Sequence, residues 1–314
     1  MMDNRQTLKR VLFLLVRVLL AVMAMFVAYM LSTTVMGDTN IVMTPEESRQ
    51  AGRALVLVSF VSALLLSVLI LRSGWSGLRL VGALIVIVFG IETFMTQIET
   101  LYFNSAVQME TVAVLGIVAA GGVRALVFAP LAVFIFGKMR NPERPAETNS
   151  QMARTGWGKR IASLAVIYVV VYFVFGYFVA WQWEEVRLFY SGTAEIKPFL
   201  SHFWDLFVKE DPLIVPFQIV RGALWATLAF VIAGMMKSPQ WEVALAVAFA
   251  FAVLVALPIG VFPNPYMPPE VRQAHFVELS TSMLLFGAIA GWALHQKGSS
   301  SVSNSRRVSA ASNA

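Results

Sequence analysis

GIETFMTQIETLYFNSAVQME, residues Gly90 to Glu110, decides how the chain is read, because it sets Glu92, Glu99 and Glu110 at the end of an otherwise apolar run. Its counterpart is Pro263 to Glu278. The stretch Val107-Gln108-Met109-Glu110 through Val123-Arg124-Ala125-Leu126 aligns with His275-Phe276-Val277-Glu278 through Gly291-Trp292-Ala293-Leu294 at an offset of 168. That offset lays Glu110 on Glu278. Further upstream, Phe26-Val27-Ala28-Tyr29 recurs as Phe178-Val179-Ala180-Trp181 at an offset of 152. The chain therefore reads as a duplication, with about sixteen additional residues between the first two spans of the second half.

Composition sets the solvent. With 58% hydrophobic and 13% charged residues, and a mean hydropathy of +0.72, the chain departs from soluble domains, in which charged residues make up about a quarter. Its apolar runs match the roughly 20 residues that cross a bilayer core as a helix, and lipid-exposed backbone admits little but helix or closed barrel. The fold class is an all-α polytopic membrane protein. The net charge of +6 comes from basic residues in short loops beside apolar runs, where they set topology, so no nucleic-acid partner is read. There is no cysteine, which excludes disulfides, thiolate metal sites and thiol nucleophiles.

Eight spans are expected: Val11 to Leu31, Ala54 to Leu71, Leu80 to Gln97, Glu110 to Gly137, Ile161 to Trp183, Pro212 to Met236, Trp241 to Phe262 and Phe276 to His295. The first is longer than a signal-peptide core, and no small-residue cleavage site follows it. Loop charges fit eight. Arg5, Lys9 and Arg10, then Arg72 and Arg79, then Lys138 to Arg160, then Lys237, and finally Lys297, Arg306 and Arg307 alternate with segments holding Asp38, Glu46 and Glu47; Glu99; Glu184 to Asp211; and Glu270. Basic loops stay in the cytoplasm, so both termini are expected there, in a cell membrane of bacterial inner-membrane type. Residues 1–140 form the first four-helix repeat, 141–159 a cytoplasmic linker, 160–296 the second repeat with an extended outer loop at 184–211, and 297–314 a disordered tail. An even number of spans per half gives the repeats the same orientation.

Ionisable residues inside spans demand partners. Glu92 lies 13 residues from Arg79 and Arg124 lies 14 from Lys138, so both sit roughly 20 Å from the basic face at helical rise and can meet. The duplication sets Arg53 opposite Arg221 and Glu110 opposite Glu278, a symmetric set that reads as an Arg-Glu clasp in each half or as a polar vestibule. The two glutamates are expected in first turns, where the helix dipole favours them. His275 and Glu278 share a helix face, with Glu99 and Glu270 able to approach. No third ligand has a spacing signature, so no metal and no cofactor is read. Glu184-Glu185 with Arg187 departs from the Glu-Glu-x-x-x-Arg spacing of membrane-embedded prenyl endopeptidases, and no later span supplies their histidines. Phe199, Phe203, Trp204, Leu206 and Phe207 fit one face of a short helix in the headgroup layer.

Three functions follow from these residues. The first is a transporter-like or ligand-binding protein, with a small-molecule or ion substrate at a polar site near the outer face. The second is a non-catalytic assembly subunit that docks a membrane protein through the outer loop at 181–207. The third is an intramembrane enzyme using Glu92, Glu99, His275 or Glu278. In all three the bilayer is the common partner.

Overall fold

The structure is a computed structural model that describes residues 4–36, 44–140 and 156–295. Asp38, most of the linker expected at 141–159, and Lys297, Arg306 and Arg307 of the expected tail lie outside the described residues. Within them, eight helices are long and apolar enough to cross a membrane: α1 Asn4–Thr33, α2 Pro45–Arg72, α3 Gly77–Tyr102, α4 Thr111–Ile135, α5 Trp157–Phe178, α6 Ile214–Met235, α7 Gln240–Val261 and α8 Pro269–Leu294. Helix α3 contains a π turn at Gly90–Phe94.

Three helices, α1, α2 and α8, begin well before their apolar content indicates. At α2, Thr44 and Glu47 form a reciprocal capping box with Pro45 in the first turn, which satisfies backbone donors before hydrocarbon begins. At α8, Pro268 and Pro269 open the helix, so its first turns carry Glu270 and Arg272. Hydropathy detects only the apolar part of such helices.

In the first half, α1 packs on α2 and α4, and α3 packs on α4. In the second half, α5 packs on α6 and α8, and α7 packs on α8. Contacts of α2 with α7 and of α3 with α6 join the halves. The most apolar stretch of α3 is 61% buried against 22% for α1, so α3 is central and α1 peripheral. At the end holding the basic loops, the α2–α3 and α6–α7 turns meet in an antiparallel bridge at Ser73 and Met236. Gly74 N–H donates to Met235 O at 2.7 Å and Lys237 N–H to Arg72 O at 3.1 Å. Lys138 Nζ donates to Ile70 O and Ser73 O, both at 2.7 Å, covering carbonyls that the end of α2 leaves open.

Small residues set the close approaches. A Cβ at Gly287 would lie 2.7 Å from Ala248 Cα, one at Gly291 2.8 Å from Ala244 Cα, and one at Gly222 2.8 Å from Ala165 Cα. Helix pairs in lipid associate largely through such packing. Gly121 of the Gly121-Gly122 pair does the same for α4, with Thr93 filling the place of its missing side chain, while Gly122 faces open space.

At the opposite, acidic end the segment between α5 and α6 forms helices at Glu184–Ser191 and Phe199–Asp205, then a π turn at Leu206–Glu210. The five residues expected on one face do not share it. Phe199, Phe203 and Phe207 meet rings of α5, whereas Trp204 is 65% exposed. Lys197 and Lys209 both bind the Asp205 carboxylate, at 2.8 and 2.7 Å. Those two bonds hold its pKa at about 2 rather than 3.8.

Gly287→Ala and Gly291→Ala should each lower stability by about 1–3 kcal/mol through backbone overpacking, read as a fall in melting temperature in detergent. Gly176→Ala, which meets open space, should match or exceed the wild type, since alanine favours helix by up to about 1 kcal/mol. Because the Asp205 pKa is depressed, its contribution is complete above about pH 4 and is lost as pH falls toward 2. A spin label at residue 201 should therefore gain mobility over that window, and Asp205→Asn should abolish the change.

Candidate functional site

Two buried polar clusters occupy different depths. The first surrounds Glu92, which sits on the π turn of α3, where Met95 N–H reaches back to Gly90 O. Such turns often mark functional positions. Arg124 of α4 forms the expected ion pair: its Nε lies 2.9 Å from Glu92 Oε2, and the two side chains are 13% and 0% exposed. Tyr29 of α1 donates to the same oxygen at 3.3 Å and stacks beneath the guanidinium at 4.4 Å. Arg124 Nη2 also donates to Thr93 Oγ1 at 2.9 Å. Ser62 of α2 lies beside the Glu92 carboxylate and bonds to it. All the charged and bonded groups come from helices of the first half, so this cluster ties α1, α3 and α4 together.

The second cluster spans the halves near the acidic end. Arg221 of α6 is buried, and its two terminal nitrogens donate to Glu99 of α3 at 2.7 and 2.6 Å. This is the bidentate geometry that guanidinium and carboxylate favour. Arg221 Nη1 also donates to Gln218 Oε1 at 2.9 Å, and Tyr168, Tyr172 and Phe217 surround the guanidinium at 5.8 to 5.9 Å. Nearby, Tyr102 stacks on Phe217 at 3.8 Å and donates to Asp211 at 2.7 Å. His275 of α8 meets Tyr190 OH through Nε2 at 3.0 Å and Glu278 Oε2 through Nδ1 at 3.7 Å. Ser282 Oγ donates to Glu278 Oε1 at 3.3 Å. Burial first, and then the charges of Glu99 and Glu278, push the Tyr190 phenol above its ordinary pKa, so it stays protonated and can donate to Nε2. Tyr190 also meets Phe103, which packs on Tyr102, and Tyr168 and Tyr172 flank Arg221, so the ends of α3 and α8 and the middle of α5 converge on this region.

Of the expected residues, Glu99, Arg221, His275 and Glu278 gather here and Glu92 meets Arg124 deeper down. Arg53, Glu110 and Glu270 join neither cluster and are exposed. The expected symmetric set is thereby corrected. Glu110 caps α4 without a side-chain capping bond, whereas Glu278 lies well inside α8 and is buried, so the dipole does not account for it. Arg53 lines an open apolar groove with Arg49, Val56 and Phe60. No Arg-Glu clasp forms within each half at these positions: Arg221 takes Glu99 from across the interface.

Sequence reading missed Gln218, Tyr102, Asp211, Tyr168, Tyr172, Tyr190 and Phe217. One local signal was present, because Gln218 precedes Arg221 by three residues, which puts both on one helix face. Buried Gln218 Nε2 and Arg221 Nε have no acceptor. A groove of about 190 Å³ between α2, α7 and α8, lined by Val61, Phe249, Leu257 and Phe276, is apolar. Among the described residues no group of three or more His, Asp or Glu is placed to hold a metal. No protein-family model, curated protein or solved structure matches the chain.

Breaking one side of a buried ion pair typically costs about 3–5 kcal/mol, because the other charge is left uncompensated. Glu92→Gln and Arg124→Met should each lower the melting temperature, and the double change should recover much of the loss. Single mutants that melt like the wild type would show that the pair does not hold α3 to α4.

Proposed function

We propose that the chain is a transporter-like, multi-pass membrane protein that binds a small polar ligand at the Glu99–Arg221 cluster, between two fused four-helix halves with both termini in the cytoplasm. The observation that carries this reading is the cross-half ion pair. Arg221 is 3% exposed and Glu99 28% exposed, so a half-open carboxylate from one half covers a buried cation of the other. Parting α3 from α6 would open the region holding Gln218, His275 and Glu278. Gln218 Nε2 and Arg221 Nε, buried donors without acceptors, then face a ligand that supplies acceptor atoms, and leaving such donors unmatched is costly. Repeat halves with polar groups at their interface suit alternating access.

The helix neighbours support the duplication. Exchanging α1 with α5, α2 with α6, α3 with α7 and α4 with α8 carries α1–α2, α1–α4 and α3–α4 onto α5–α6, α5–α8 and α7–α8, and α2–α7 onto α6–α3, whereas the α6–α7 and α6–α8 contacts have no comparable image in the first half. The ends of α2 and α6 and the starts of α3 and α7 share an offset of 163, which replaces 168 for these helices. The bridge at Ser73 and Met236 has the same offset. Basic residues at the bridged end support a cytoplasmic assignment for it.

The cysteine-free chain permits a direct test. In Ser282→Cys the thiol replaces the hydroxyl on Glu278 and should react slowly with a membrane-impermeant maleimide. Adding Glu99→Gln with Arg221→Met removes the clasp without stranding a charge, and should raise that rate at least tenfold. A thiol at Ser62, beside Glu92 in the deeper cluster, should stay shielded in the same background. Unchanged labelling at residue 282 would mean that the cluster is sealed packing and the ligand site does not exist.

A further inference from the structure

The segment joining α5 to α6 has three distinct sides. Phe199, Phe203 and Phe207 pack on Phe173 and Tyr177 of α5, with ring centroids 4.9 to 5.1 Å apart. Asp205 takes both Lys197 and Lys209, giving a side of paired charge. The third side is apolar and uncovered: Leu200 is 79% exposed, Trp204 65% and Val208 53%, with Leu213 following at 68%. The first three recur every four residues, so they form a stripe beside the phenylalanines.

This stripe continues the outward-facing apolar side of α5. Along α5, Val166, Val170, Val174 and Phe178 are exposed at successive turns, as expected where a span faces acyl chains. Phe178 stacks on Phe199 at 5.1 Å and 21°, and Leu200 is the next residue. The apolar surface therefore runs from the span onto the connecting segment without a polar break.

We infer that Leu200, Trp204, Val208 and Leu213 enter the boundary between acyl chains and headgroups, making residues 199–213 an interfacial anchor whose occupant is lipid. Tryptophan suits that boundary, since its ring is apolar and its N–H can stay hydrated. The Lys197–Asp205–Lys209 group keeps the adjoining side in water, a division of polar and apolar sides like that of interfacial helices. The anchor ties the acidic-end mouth of α6, where Asp211 meets Tyr102, to a fixed depth. The inference rests on the membrane-spanning reading of α5 and is independent of any ligand at Arg221.

Single-cysteine variants Leu200→Cys, Trp204→Cys and Val208→Cys, each carrying a nitroxide, would be placed in phosphatidylcholine–phosphatidylglycerol liposomes. Val170→Cys serves as the lipid-facing reference and Ser201→Cys as the water-facing one. Accessibility to oxygen, which concentrates in lipid, should exceed accessibility to a nickel chelate at 200, 204 and 208, as at 170, and the order should reverse at 201. Nickel accessibility at 200, 204 and 208 equal to that at 201 overturns the anchor. Exclusion of both reagents would also overturn it, because it would mean that protein covers the stripe. Should Trp204→Cys fail to fold, positions 200 and 208 decide the matter. A water-like result at 170 would instead sink the membrane reading of α5.

Discussion

A guanidinium removed from water has to be met by a carboxylate and by enough acceptors to replace its hydration, and at Arg221 that requirement reaches across the whole molecule. Its partner, Glu99, belongs to a helix from the other end of the sequence. Meeting it fixes the depth of α3 relative to α6, and so the register of the contact that joins the halves. Gln218, the surrounding aromatic rings and the Tyr102–Asp211 bond then follow around a charge whose position is set.

The same requirement is solved differently at Glu92. Here the pair closes within one half, and Tyr29 adds both a hydrogen bond and an aromatic face to it. Thr93 shares the π turn, binds Arg124 and fills the space left by Gly121. Close packing and charge pairing are therefore one arrangement at this point, because the ion pair needs a helix spacing that Gly121 permits. The second half is packed by Gly222, Gly287 and Gly291 instead and carries buried Arg221 nearer the end of the bundle. Similar helix contacts in the two halves thus support different polar equipment.

The segment at 184–210 shows how one stretch can serve three solvents. Its phenylalanines meet α5, its lysines and aspartate meet each other, and its Leu200–Trp204–Val208 stripe meets neither. Composition distinguishes only apolar from polar. It therefore merged the protein-facing and outward-facing residues into a single expected face, although one position of helical rotation separates Phe203 from Trp204.

The sequence alone determined the solvent, the number of long apolar helices and the Glu92–Arg124 contact. Each depends on quantities that run linearly along a chain: hydropathy over a span, alternation of loop charge, and depth counted from a basic anchor at a fixed rise per residue. Tertiary structure decided which charges face inward and whom they meet. Residue spacing gives the depth of Glu99 and Arg221 but not the rotation of their helices, so nothing local distinguishes buried Arg221 from exposed Arg53. The alignment of Glu110 with Glu278 failed for a related reason. Matching short apolar strings preserves residue type, whereas equivalence in a bundle is set by where glycines and turns bring helices together.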